Sequence, residues 1–184
     1  SANEAWVAGE GEGFGDVGPF DHPPSVLLHT TDGGATWPHA PRIDGANTFQ
    51  DVAFSGKQGW LVASQCRPGE PFFERTPGPP PCRDVSSLFY TADAGKTWAK
   101  LASQPALVPR ALRWLDAKHG FGLANTCDVA GCGDQLYASS DGGRTWALRA
   151  IDTGGVLNFA FQTPTAGWAL VQFCGGERCM RRLA

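Results

Sequence analysis

Four arginines, Arg42, Arg67, Arg110 and Arg113, are the candidate ligand-binding residues of this chain. A guanidinium offers a planar fork of donors that suits carboxylates and other anionic groups. Three carboxylates, Asp44, Asp51 and Asp116, fall in or near segments that read as strands. Sugar hydrolysis would need two such groups facing each other across a cleft, and sequence carries no distance between them. His22, His29, His39 and His119 show neither metal-ligand spacing nor a paired Ser or Cys nucleophile, so neither a metal nor a cofactor is expected, and no catalytic residue is assigned. Glu10, Glu12, Asp16 and Asp21 could offer oxygen ligands to a cation, but without calcium-loop spacing they read as a solvated acidic loop. Gly13-Phe-Gly-Asp-Val-Gly18 has the spacing of a dinucleotide-binding turn. The following Pro19-Phe-Asp-His-Pro-Pro24 cannot open the helix such a turn requires, which excludes that reading.

What must position these groups is a repeat. Thr31-Asp32-Gly33-Gly34-Ala35-Thr36-Trp37 recurs as Ala92-Asp-Ala-Gly-Lys-Thr-Trp98 and as Ser140-Asp-Gly-Gly-Arg-Thr-Trp146. The common form is Asp-x-Gly-x-Thr-Trp, with Thr30, Thr91 or Ser139 two residues before the Asp. A second landmark is an aromatic opening an apolar run: Trp6, Trp60, Phe121 and Trp168. Trp37 to Trp60 and Trp98 to Phe121 are each 23 residues, and Trp146 to Trp168 is 22. A cysteine lies six residues beyond each of the last three aromatics, at Cys66, Cys127 and Cys174, with a partner at Cys82, Cys132 and Cys179.

Short runs rich in β-branched and aromatic residues, bounded by Gly, Asp and Pro, read as strands. Each repeat of about 50 residues holds four: one before the aromatic, one from it, one before the Asp turn and one from the turn's Trp. The expected fold is all-β, a β-propeller of four-stranded antiparallel blades, with about three and a half to four blades present. Residues 1–184 read as one propeller segment, divided into a partial blade (1–40), full blades (41–101 and 102–149) and a second partial blade (150–184). The register predicts a segment of a larger ring of six to eight blades. Its open sides would be met by remaining blades in cis or by self-association of edge strands.

Composition agrees. Glycine (24) and proline (14) are abundant, seven tryptophans accompany a single methionine, and 42% of residues are hydrophobic. That disfavours long helices and favours short strands joined by turns. A net charge of −3 without a basic cluster argues against nucleic-acid partners. No apolar run approaches the ~20 residues of a membrane-spanning helix. The even, patterned cysteines point to an oxidising compartment: secreted, periplasmic or cell-surface. Residues 1–10 lack signal-peptide character, so an export signal is expected outside them. Each cysteine pair brackets the connection between the second and third strands of a blade. This predicts the disulfides Cys66–Cys82, Cys127–Cys132 and Cys174–Cys179 in preference to a metal site, because Cys-x4-Cys is not the usual zinc spacing.

The Asp-x-Gly-x-Thr-Trp segments resemble the Asp-box, or bacterial neuraminidase, repeat, over essentially the whole chain. Families with this repeat include sialidases, xyloglucan-cleaving glycosidases, sortilin ectodomains and photosystem II assembly-factor propellers. The resemblance implies that the box is a fold element. Its structural residues here are Asp32, Gly34, Thr36 and Trp37, then Asp93, Gly95, Thr97 and Trp98, then Asp141, Gly143, Thr145 and Trp146. The Asp is expected to accept bonds within its own turn, the Gly to take positive φ, and the Trp to pack under the neighbouring sheet. Sialidase chemistry finds little support. Pro41-Arg42-Ile43-Asp44 lacks the aromatic and proline of the sialidase motif, and Tyr90 and Tyr137 occupy equivalent repeat positions. The expected function is a non-catalytic secreted or cell-surface propeller. It would bind a protein or glycan through the face opposite the boxes, where loops 9–25 and 67–81 are long. The alternative is a fragment of an Asp-box glycoside hydrolase, sialidase-like or glucan-cleaving.

Overall fold

The computed structural model describes residues 3–10, 25–40, 42–46, 48–68, 82–102, 107–128, 131–149, 155–175 and 178–183. The Gly13–Gly18 motif, Glu12, Asp16, Asp21, His22, most of both long loops, and the side chains of Glu10, Arg67 and all six cysteines lie outside the described residues. Among the described residues every regular element is a strand.

The strands form four antiparallel sheets in chain order. The first pairs β1 (Ala5–Glu10) with β2 (Ser25–Thr30), and Leu28 adds a single bridge to His39. The second is β3 (Thr48–Ser55), β4 (Gln58–Pro68), β5 (Cys82–Thr91) and β6 (Ala99–Lys100). The third is β7 (Ala111–Trp114), β8 (Gly120–Asp128), β9 (Gly131–Ser139) and β10 (Ala147–Arg149). The fourth is β11 (Gly155–Thr163), β12 (Ala166–Gly175) and β13 (Arg178–Leu183).

The apolar runs of the sequence are the second strands of their sheets. Trp60, Leu61, Val62 and Ala63 are all fully buried in β4, with no alternation of exposure. A strand reads this way when both faces of its sheet are covered. The alternation appears instead in what each side chain touches. Leu61 and Ala63 join a cluster with Leu27, Ile43 and Phe89, packed by Trp6 and Trp98, between the first and second sheets. Trp60 and Val62 join Leu88, Leu112 and Trp114 between the second and third. Phe121, Leu123, Val156 and Phe159 belong to the cluster between the third and fourth. The core therefore consists of three joints between sheets.

Aromatic rings organise each joint. Trp6 stacks on Phe54 with centroids 5.3 Å apart, Trp60 on Trp114 at 3.7 Å, and Phe121 on Phe161 at 3.6 Å. In each pair the landmark aromatic of one sheet covers an aromatic on the first strand of the next. The turn tryptophans close two joints edge-on: Trp98 against Trp6 and Phe54, and Trp146 against Trp114. Each such pair contributes roughly 0.5–1.5 kcal/mol beyond its buried area.

The three Asp turns have one geometry. Asp93 Oδ1 accepts the Thr91 hydroxyl at 2.7 Å and the Thr97 amide at 2.9 Å, and Oδ2 accepts the Thr97 hydroxyl at 2.6 Å. Asp32 and Asp141 repeat this set with Thr30 and Thr36, and with Ser139 and Thr145. The hydroxyls of Thr30, Thr91 and Ser139 also accept two turn amides each, including that of Gly34, Gly95 or Gly143. All three of these residues are buried. A buried hydroxyl that donates once and accepts twice is fully used. The glycine pairs of the first and third turns take positive φ, and in the second Ala94 takes φ 60°, a conformation that strains a residue with a Cβ.

Bonding to the ionised form favours it. The Thr97 hydroxyl and amide and the Thr91 hydroxyl hold Asp93 down at about 2, and the Thr36 and Thr30 bonds hold Asp32 well below the usual carboxylate range. Desolvation works to raise Asp141, and the Thr145 and Ser139 bonds outweigh it. A carboxylate depressed in the folded state stabilises the fold above its unfolded pKa, and that contribution is lost as pH falls through the folded value. The turns are therefore expected to hold their full contribution above about pH 4 and to lose it progressively as pH falls, that of Asp93 through about pH 2. Melting curves across this range should show the acid limb, and Asp93→Asn should flatten part of it.

Candidate functional site

The Asp turns sit beside the hairpins that join first and second strands. The Ala94 amide donates to Lys57 O at 2.8 Å, and the Gly142 amide to Lys118 O at 3.1 Å. Asp116 belongs to this end. It accepts the Lys118 and His119 amides and lies 2.8 Å from His119 Nδ1, and these bonds, that of the His119 side chain first, hold it at about 2. Its carboxylate is spent on shaping the β7–β8 turn.

Three first strands, β3, β7 and β11, gather along a cleft of about 390 Å³. Val52 to Phe54, Arg113 to Leu115, and Phe159 to Phe161 line it, together with Phe121. Arg113 is its cationic group and is 57% exposed. Its guanidinium carbon lies 6.0 Å from the Phe159 ring centroid, and Nη1 donates to Leu112 O at 2.6 Å and stands 3.7 Å from Asp51 Oδ2. An arginine over an aromatic face is held by the ring's quadrupole while its outer edge remains available.

Asp51 supports this arrangement from below. A bulge between Phe49 and Asp51 shifts the β3–β4 register. Asp51 Oδ1 accepts the Val52 amide at 2.9 Å, and Oδ2 accepts the Leu112 amide of β7 at 2.6 Å. Burial pushes this carboxyl up, against the Leu112 bond and the nearby Arg113. The carboxylate thus clasps β3 to β7. At the equivalent bulge in β11, Asn158 Oδ1 accepts only the amide of the next residue, Phe159, among the described residues.

Arg110 has a different task. It makes a two-pronged ion pair with Asp134, with Nε to Oδ1 at 2.9 Å and Nη2 to Oδ2, tying the start of β7 to β9. The bond raises Arg110 and lowers Asp134. Arg42 stands exposed in the segment before β3, and Asp44 is likewise exposed there. Of the four arginines, then, Arg113 lines the cleft and Arg110 is committed to an ion pair. The three named carboxylates do not meet: Asp51 clasps two first strands, Asp116 shapes a turn and Asp44 is on the surface.

Two features escaped the sequence reading. Gln50 Nε2 donates to Ser64 Oγ at 2.9 Å and Ser86 Oγ at 3.3 Å, linking β3, β4 and β5 across one sheet. His29 stacks on Trp6 at 4.0 Å and lies 3.1 Å from Glu4. A period-two count would have aligned Gln50 with its partners only if the bulge had been visible. Among the described residues no group of three His, Cys, Asp or Glu side chains converges as metal ligands would.

No family model matches the chain. Among curated proteins it is 28% identical over 133 residues to the photosystem II stability/assembly factor HCF136, chloroplastic, of Arabidopsis thaliana. That match covers 70% of this chain and 27% of the relative. Among solved structures, YCF48 bound to D1 peptide superposes with a TM-score of 0.59 at 18% identity, over 99% of this chain and 47% of its own. A GH74 xyloglucanase from Xanthomonas campestris superposes with a TM-score of 0.51 at 15% identity, over 93% of this chain and 25% of its own. The chain thus spans about a quarter of the curated relative and about half of the YCF48 chain. These likenesses establish the fold: the four sheets are blades of a β-propeller, side by side in chain order.

Proposed function

We propose that this chain is the protein-binding part of a non-catalytic, exported propeller of the Asp-box class, and that it takes a peptide segment of its partner along the cleft of first strands. The observation that carries this reading is Arg113, exposed over Phe159 and steadied beside Asp51 in an otherwise apolar cleft. A guanidinium fork can take a backbone carbonyl or a carboxylate while the aromatic walls take an apolar side chain. A solved structure of the same fold is a complex with a peptide, and the curated relative is named an assembly factor, which supports a protein partner over a glycan.

A random peptide library displayed on phage and selected on the chain would supply a probe. The enriched peptide, labelled for fluorescence anisotropy, should bind the native chain with micromolar affinity. Arg113→Ala should weaken it tenfold or more, and Lys96→Ala on the Asp-turn face should leave it unchanged. Equal binding by Arg113→Ala would remove the cleft from the reading, and turnover of xyloglucan or sialosides by the chain would replace it with the hydrolase.

Export rests on the cysteines. The register sets Cys127 directly opposite Cys132 and Cys174 directly opposite Cys179, the placement a cross-strand disulfide needs. Cys66 stands opposite Asp84 and Cys82 opposite Pro68, so the proposed Cys66–Cys82 bond is a diagonal one. Peptide mapping without reduction should find all three bonds in the protein from its native compartment. Free thiols there would argue against export.

A further inference from the structure

The joint between the second and third sheets opens at its Asp-turn end into a cleft of about 520 Å³. Both sheets have all four strands, so both walls of the cleft are built in full. The second-sheet wall consists of Trp60, Tyr90, Leu101 and Gln58. Trp60 is fully buried and forms the floor, donating Nε1–H to Gly142 O at 3.0 Å across the joint. Tyr90 pairs with Trp60 in the sheet and stands edge-on to it, the rings inclined by 60° with centroids 5.6 Å apart. In the first sheet the same pairing sets His29 against Trp6, and there the rings are nearly parallel, 12° apart at 4.0 Å. Tyr90 therefore stands up from its tryptophan, where His29 lies along it.

The third-sheet wall is charged. Lys118 of the β7–β8 turn and Arg144 of the Asp turn both line the cleft, and both are exposed. Among the described residues neither is in an ion pair. Arg144 Nη1 donates to Asp141 O at 2.7 Å, which fixes one edge of the guanidinium and leaves the donors of its other edge for a ligand. Among the described residues Asp141 is the carboxylate of the lining. Its oxygens already accept the Ser139 hydroxyl and the Thr145 amide and hydroxyl. Two cations against one carboxylate leave a surplus of a single positive charge. The volume lies within the roughly 300–1,000 Å³ of small-molecule sites, and an apolar wall facing a cationic one selects an anion on a flat apolar body.

We propose that this cleft is a binding site for a small organic monoanion, a carboxylate carried on a flat apolar ring. The carboxylate lies between Lys118 and Arg144, where the guanidinium fork takes both of its oxygens. The ring lies against Tyr90 and Leu101, over Trp60. Gln58, with a donor and an acceptor on its amide, reads a polar substituent of the ring. The cleft shares no lining residue with the first-strand cleft of Arg113, and the two readings stand independently.

Naphthoate, titrated into the isotopically labelled 184-residue chain, is the probe. It should shift the Trp60 indole N–H and the Gly142 amide in nitrogen–proton spectra, with a Kd of about 1 mM or tighter for a ligand of this size. Naphthamide, the same shape without the charge, should bind at least tenfold more weakly. Lys118→Gln and Arg144→Gln should each weaken naphthoate about fivefold and leave naphthamide unchanged. The turn tolerates the second change, because Ala35 holds the same place in the first Asp turn. Lys96→Gln, at that place in the second turn, is the control and should bind both probes like the native chain. Equal affinity for the two probes, charge variants that bind naphthoate like the native chain, an equal loss in Lys96→Gln, or no shift of the Trp60 indole up to about 10 mM overturns the proposal. Shifts confined to Arg113 and Phe159 also overturn it, while leaving the peptide reading of that other cleft in place.

Discussion

Trp114→Ala should lower the stability of the fold by about 3–5 kcal/mol, the usual cost of emptying a buried Trp or Phe site. Trp114 lies flat on Trp60 at 3.7 Å and meets the edge of Trp146. It also stands in the cluster of Leu88, Leu112 and Val62, so no neighbour is free to collapse into the space. At roughly 2–4 °C per kcal/mol for a chain of this size, the melting temperature should fall by about 6–20 °C. Trp114→Phe separates two contributions. The indole N–H of Trp114 is buried without a hydrogen-bond partner among the described residues, and phenylalanine removes that cost while keeping a stacked ring. The Phe variant should therefore lose much less than half of what the Ala variant loses. Urea unfolding of both variants decides the matter. Equal losses would mean that a smaller stacked ring does not hold the second joint and that the whole indole is required there.

Gly95→Ala should cost about 2–5 kcal/mol, from two sources that add. The residue sits at φ +82°, where a Cβ costs roughly 1–2 kcal/mol. The Cβ would also land 2.3 Å from the ring of Trp6, and forcing that contact costs about 1–3 kcal/mol more. Gly56→Ala is the control, because Gly56 has φ +63° and nothing within 4 Å of its Cβ position. It should show the backbone cost alone. Ala94, already at φ 60° in the same turn, shows that the backbone cost by itself is tolerated. Gly95→Ala should also disturb Trp6 fluorescence, since the indole must leave its place in the first joint. Identical losses for the two variants would remove the close approach of Gly95 to Trp6 as a reason for glycine there.

The spacing of aromatics and Asp turns made the fold legible, because the same four-strand plan had to be met at fixed offsets. The internal bonding of the Asp turn could also be expected from residue types, as Asp93 and Thr97 show. The role of Thr91 was harder to see. Its hydroxyl works only because the preceding strand buries it beneath the turn. The partners of the landmark aromatics were present as a signal that went unused: Phe54, Trp114 and Phe161 each stand six or seven residues before them. The candidate site was less legible. Arg113 was named with three other arginines, and nothing in its sequence neighbourhood distinguishes it from Arg110. The difference arises across sheets, where Asp134 on β9 captures Arg110 and Phe159 on β11 underlies Arg113. Asp51 was considered as one of a catalytic pair; its position at a bulge turns it into a clasp for the Leu112 amide.

The division of β4 between two joints has a consequence for how the molecule opens. Leu61 and Ala63 belong to one joint, and Trp60 and Val62 to the next. Repeat arrays whose units touch only their neighbours behave as one-dimensional chains of coupled steps. Amides of β4, shielded on both faces, should be the last to exchange with deuterated solvent, and those of the exposed β6 and β10 the first. Breaking the Trp60–Trp114 stack would then uncouple the two halves of the row. Protection would fall in two separate waves where the native chain shows one, and the boundary between the waves would run between β4 and β7.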